Sequence, residues 1–187
     1  MKVYDFDKTI YAGDSTIDFY LYCLKKHKKI ILYLPVQIIS FVKYKINMID
    51  KLQFKESFFS FLKLINDIDS DVNDFWDNNQ KKIYSWYISQ QKNDDVIISA
   101  SPEFLLIEIF RRLEIRHFIC SKVNKTDGKF LSPNCYGEEK VKRFTEFYEI
   151  ENMDEFYSDS KSDLPMATRA KIAFMVGSKG ERTEWKA

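Results

Sequence analysis

Glycine and proline are scarce in this chain, five and four among 187 residues. So few breakers leave no Gly- or Pro-rich linker and no low-complexity tail, and no internal repeat is visible. Cysteine is equally thin. Cys23, Cys120 and Cys135 are odd in number, widely spaced and without a CxxC pair, which argues against a disulfide framework or a thiolate zinc site and fits reduced thiols. Charge of one sign is missing too: the formal net charge is +1. No basic block interleaved with stacking aromatics offers a nucleic-acid surface. No leader-like segment precedes the first apolar strand, so a cytoplasmic location is expected. Residues 14–90 contain no arginine at all.

What is present suffices for one sizeable core, or a core plus a small second unit: 45% of residues are hydrophobic and 30% charged. From Ser15 to about Gln90 apolar residues recur at helical spacing, with Asp14 or Ser15 placed to cap the first helix. One run there, Ile30 to Val42, is strongly apolar and flanked by Lys25, Lys26, Lys28, Lys29, Lys43 and Lys45. It is too short to span a bilayer and contains Pro35, Gln37 and Ser40. It reads either as a buried helix of a small bundle or as a lysine-flanked patch lying on a membrane surface.

After Asp94-Asp95 the character changes. VIISA (96–100) is a short β-branched run of the kind a buried parallel strand needs. Ser101-Pro102-Glu103 reads as a helix start with Ser as N-cap. A strand is expected around 118–123, a helix at 138–148, a strand at 155–158, a loop and helix over 159–170, and a last strand at 172–176. This alternation predicts an α/β, Rossmann-like three-layer core with a mostly parallel sheet, joined to an inserted all-helical cap. The core is expected at 1–13 and 91–187, and the cap at 14–90. The insertion, about 75 residues long, would lie over the carboxyl ends of the strands, where open α/β sheets bind ligands.

Polar residues gather at those ends. YDFDKTIY places Asp5 and Asp7 one residue apart, pointing to the same side of an extended chain. Ser99 and Ala100 end the next strand, Lys140 lies in the first turn of a helix, and Asp159 and Asp163 follow a third strand. Clustered carboxylates repel unless a hard cation sits among them, and Mg²⁺ takes such oxygens while leaving room for phosphate. The amides at the start of the helix expected at Pro102, with the Ser99 hydroxyl, can hold an anion. Lys140 opposes its own helix dipole, so it makes better sense facing phosphate and carboxylate. These are the parts phosphoryl transfer needs.

The set resembles the haloacid dehalogenase superfamily of hydrolases, in its phosphoserine-phosphatase-like branch with a helical cap after the first strand. DFDKT, SAS, GEEK and DSKSD match its four motifs. The resemblance implies Asp5 as nucleophile forming an aspartyl phosphate and Asp7 as acid and base. It implies Mg²⁺ held by Asp5, the Asp7 carbonyl and Asp159 with support from Asp163. Ser99, Ala100 and Lys140 would hold the phosphate, and Thr9 would fix the loop. Ser158 and Ser162 stand where the fourth motif usually has Gly and Asn. Asp14 matches the acid that takes a substrate amine, but the cap arginine that takes its carboxylate is missing. A small or lipid-like phosphate ester other than phosphoserine is therefore expected as the partner, with possible peripheral membrane contact through the cap. Phosphoryl transfer to an acceptor other than water is an alternative. So is a receiver-like module phosphorylated without turnover, although a receiver has no use for Asp7.

Overall fold

The structure is a computed structural model describing residues 1–186; Ala187, the last residue of the expected core, lies outside the described residues. A six-stranded sheet of order β3-β2-β1-β4-β5-β6 organises it, with β1 (Lys2–Tyr4), β2 (Val96–Pro102), β3 (His117–Ser121), β4 (Glu155–Ser158), β5 (Ile172–Val176) and β6 (Arg182–Glu184). All pairings are parallel except that of β6. Apolar residues alternate between faces as the pleat requires. Tyr4 and Ile97 enter one buried cluster, and Val3, Val96 and Ile98 enter the other. Helix α6 (Glu103–Arg112) covers the first face, and α7 (Glu138–Thr145) and the short α8 (Leu164–Ala167) cover the second. This is a three-layer α/β core. The sixth strand escaped the sequence because it is short, charged and exposed, without an apolar signature.

Between β1 and β2 run α1 (Ser15–Lys26), α2 (Leu34–Lys45), α3 (Lys51–Phe59), α4 (Ile68–Asn79) and α5 (Ser85–Gln90). Asp14 caps α1 by accepting the Ile17 N–H, and Asp50 with Gln53 forms a reciprocal capping box on α3. The insertion does two things. Its later part joins the core: Trp76 donates to the Leu105 carbonyl, and Tyr87 packs edge-on to Tyr4 at 5.1 Å. Its earlier part closes over the carboxyl ends of the strands through α1 and α3.

Two expectations need correction. The 30–42 run is not a buried bundle helix, because α2 turns Gln37 and Ser40 inward and leaves Ile38, Ile39 and Val42 exposed. And Ser101 is not an N-cap: β2 continues to Pro102 with a register shift between Ser99 and Pro102, and α6 starts only at Glu103. The Ser101 hydroxyl is engaged elsewhere, by Asp7.

Candidate active site

Strand β1 ends at Tyr4, and the chain turns at once. Lys8 adopts the left-handed backbone region (φ 54), uncommon for a side chain of its size and typical of functional turns. The turn leaves Asp5 and Asp7 both lining one cavity of about 480 Å³. Ser99, Ala100, Lys140, Asp159, Asp163 and Asp14 line the same cavity. Residues from three strand ends, from the first turn of α7 and from the cap of α1 thus converge at one edge of the sheet.

At its floor lies a buried ionic triad. Lys140, 2% exposed, donates through Nζ to Asp5 Oδ1 at 2.7 Å and to Asp163 Oδ2 at 2.7 Å. Asp163 Oδ2 also accepts the Ser158 hydroxyl at 2.7 Å, so one serine that departs from the family motif acts as a positioning donor. Asp163 Oδ1 is buried and accepts no hydrogen bond among the described residues. Thr9 is fully buried, and its hydroxyl oxygen accepts the Asp159 N–H at 3.0 Å, tying the β1 loop to the β4 loop.

Asp7 is held from both sides. Its Oδ1 accepts the Ser15 N–H at 2.6 Å and its Oδ2 accepts the Ser101 hydroxyl at 2.5 Å. Thr16 Oγ1 lies 2.9 Å from Ser101 Oγ, extending the chain onto α1. The Ser101 N–H donates to Ser99 Oγ at 3.1 Å, which leaves the Ser99 proton free to donate elsewhere.

Burial dominates the electrostatics. It pushes the Asp5 carboxyl up, with Lys140 offsetting part of the rise, and it pushes Asp7 up to about 6, with Asp14 adding to the rise. Asp159 is also raised, again chiefly by burial. For Lys140 burial acts downward, but Asp5 and Asp163 more than compensate and hold it above the ordinary lysine range. Several desolvated carboxylates share one lysine, and one carboxylate oxygen lacks any partner among the described residues. Such a donor set fits a hard divalent cation. Among the described residues no three acidic, imidazole or thiol groups form a ready-made metal cage. Mg²⁺ does not need one, since it uses one or two carboxylates and keeps waters.

The cap side of the cavity brings two lysines that the sequence did not single out. Lys51 and Lys55, one turn apart on α3, both line it. Lys55 donates to the Ala100 carbonyl at 3.2 Å and to Asn134 Oδ1 at 2.8 Å, and burial lowers its pKa to about 8. Lys51 sits over the Tyr136 ring. Phe54, Phe58, Phe59 and Ile17 form the apolar wall, whereas Phe19 and Tyr20 are spent inside the cap. The spacing of Lys51, Phe54, Lys55 and Phe58 on one helical face was the available signal.

The comparisons with known proteins accord with this geometry. A family model described as haloacid dehalogenase-like hydrolase matches residues 3–168. A protein of unknown function from Bordetella pertussis Tohama I superposes with a TM-score of 0.74 at 15% identity, over 92% of this chain and 87% of its own. A phosphoserine phosphohydrolase-like protein from Francisella tularensis does so with a TM-score of 0.55 at 15% identity, over 92% and 86%. A probable phosphoserine phosphatase from Vibrio cholerae gives 0.64 at 13% identity, over 92% of this chain and 55% of its own. At such identities these likenesses speak for the fold. No curated protein matches the sequence.

Proposed function

Because the chain belongs to the haloacid dehalogenase-like hydrolases, we propose that it is a Mg²⁺-dependent phosphatase acting on a phosphomonoester through Asp5. The observation that carries this reading is the division of labour between two neighbouring acids. Asp5 lies against the Lys140 ammonium at the cavity floor, while Asp7, two residues on, is clamped by Ser15 and Ser101.

In this reading an Asp5 carboxylate oxygen attacks phosphorus and the ester P–O bond breaks. Asp7, whose raised pKa keeps a protonated fraction available near neutrality, gives its proton to the departing oxygen. A water molecule then attacks the phosphorus of the Asp5 phosphoryl ester. Asp7 takes the proton from that water, the bond to Asp5 breaks, and inorganic phosphate leaves. Ser99 and Lys140 orient the phosphoryl oxygens. Asp5, the Asp7 carbonyl and Asp159 would hold the metal, with Asp163 beside them, and the bound ion would supply charge neutralisation.

The cap supports a substrate other than phosphoserine. It has no arginine fork for a carboxylate, and Asp14 spends one oxygen as the α1 cap. Instead it presents Phe54, Phe58 and Phe59 beside Lys51 and Lys55, a combination suited to the phosphate of an apolar ester. The test is phosphate release from phosphoserine and from alkyl phosphates of rising length, with and without Mg²⁺. Mg²⁺-dependent release with kcat/KM growing by up to about fourfold per methylene, the equivalent of ~0.8 kcal/mol, is expected. Preference for phosphoserine, or no gain with length, would overturn the substrate assignment.

A further inference from the structure

Helix α2 is built inside out. Gln37 and Ser40, facing inward, are 6% and 5% exposed, while Leu32 and Ile38 are 72% and 59% exposed. At about 100° per residue, Pro35, Ile38, Ile39, Val42 and Ile46 fall on one outward stripe. The helix cannot roll this stripe inward without losing specific bonds. Tyr20 Oη donates to Gln37 Oε1 at 2.6 Å, and Gln37 Nε2 donates to the Phe58 carbonyl at 2.8 Å.

Charge accompanies the stripe. Residues 19–49 carry six lysines and no acid, so the rest of a chain of net charge +1 is negative. On the helical wheel Lys43 and Lys45 fall on opposite flanks of the stripe, about 80–100° from its centre. Lys25, Lys28 and Lys29 precede it on the chain. None of these five is in an ion pair among the described residues, unlike Lys26, which is held by Asp71 and Asp74. No helix among the described residues is long and apolar enough to cross a membrane.

We propose that this face of the cap docks on an anionic lipid surface, the apolar stripe entering the interface and the flanking lysines meeting headgroup charge. Charge selects this occupant over a second copy of the chain. A two-fold contact through the stripe would set lysines against the partner's lysines, with no acid anywhere in residues 19–49 to compensate. The surface is also coupled to the site. Phe41 and Tyr44 of α2 pack on Phe54 of α3 at 5.8 and 5.2 Å, and Phe54 lines the cavity. Docking would place the cavity one helix layer from the lipid. The inference rests on exposure and charge and stands whether or not the proposed reaction does.

The test is sedimentation of the full chain with phosphatidylcholine vesicles, with and without phosphatidylglycerol, at low and high salt. Binding is expected only with phosphatidylglycerol and should weaken with salt. Ile39→Asp/Val42→Asp should lose at least tenfold in partitioning, and Lys43→Gln/Lys45→Gln about fivefold per lysine, the factor equivalent to ~1 kcal/mol each. Both variants alter exposed positions and should melt like the parent, which separates lost binding from lost folding. No binding to phosphatidylglycerol vesicles, or equal binding by the aspartate variant, would overturn the proposal. A lipid-free dimer that the aspartate variant splits, without vesicle binding by the parent, would overturn it in favour of a second copy.

Discussion

Lys140→Met isolates the electrostatics of the cavity floor. Methionine roughly keeps the volume and removes the charge, leaving Asp5 and Asp163 buried without the ammonium that each meets at 2.7 Å. Removing one partner of a buried pair costs about 3–5 kcal/mol. Asp5 can escape part of this by taking up a proton, so a loss near ~3 kcal/mol is expected at about pH 7.5. For a chain of this length that lowers Tm by about 6–12 °C. The pH dependence has a definite sign. Burial already raises the Asp5 carboxyl in the folded protein, and losing Lys140 raises it further. An acid whose folded pKa exceeds its unfolded value costs stability above the folded pKa, and that cost fades as pH falls through it. The deficit of the variant should therefore narrow between about pH 7.5 and pH 5, and Mg²⁺ should narrow it at the higher pH. Melting curves of both proteins, followed by circular dichroism without metal, measure this. An unchanged Tm, or a deficit that widens on acidification, would refute the reasoning.

Other perturbations probe other parts. Asp7→Asn should slow phosphoryl transfer from alkyl phosphates far more than from p-nitrophenyl phosphate, whose leaving group departs without a proton; kcat/KM for both esters, which is blind to the shared hydrolysis of the intermediate, decides, and equal losses in kcat/KM would remove Asp7 from the acid role. Gly128→Ala should destabilise by about 2 kcal/mol or more, because Gly128 has φ 78 and an added Cβ would lie 2.5 Å from the Phe59 carbonyl oxygen of the cap; urea melts check it. Lys55 titrates at about 8, so KM should rise as pH passes through 8 while its cation is lost, and Lys55→Met should show a high KM without that rise.

Much of the core and its acids was legible because local chemistry dictated it. Two aspartates at i and i+2 after a strand, a β-branched run ending in Ser99, and a lysine on the wrong end of its helix dipole each admit a bland surface role alone, but their order along one chain does not. What stayed hidden depends on which way an element faces. Periodicity tells which residues of α2 share a side. It does not tell that hydrogen bonds, one from the Tyr20 hydroxyl to Gln37 and one from Gln37 to the Phe58 carbonyl, would hold the polar side inward. Nor does it say that α3 turns Lys51 and Lys55 toward the cavity. Ser101 looked like a helix cap because its local partners favour one, but a more distant acceptor, Asp7, took its hydroxyl.

The central claim is that Asp5 itself is phosphorylated. Asp7→Asn protein mixed with p-nitrophenyl phosphate and Mg²⁺, quenched in acid and digested, gives the direct reading by mass spectrometry. The proposed chemistry requires one acid-stable, hydroxylamine-labile phosphoryl group on the peptide bearing Asp5, absent when Mg²⁺ is withheld and absent in Asp5→Asn protein. Release of phosphate at an undiminished rate by Asp5→Asn, with no label on that peptide in the other variant, would contradict it.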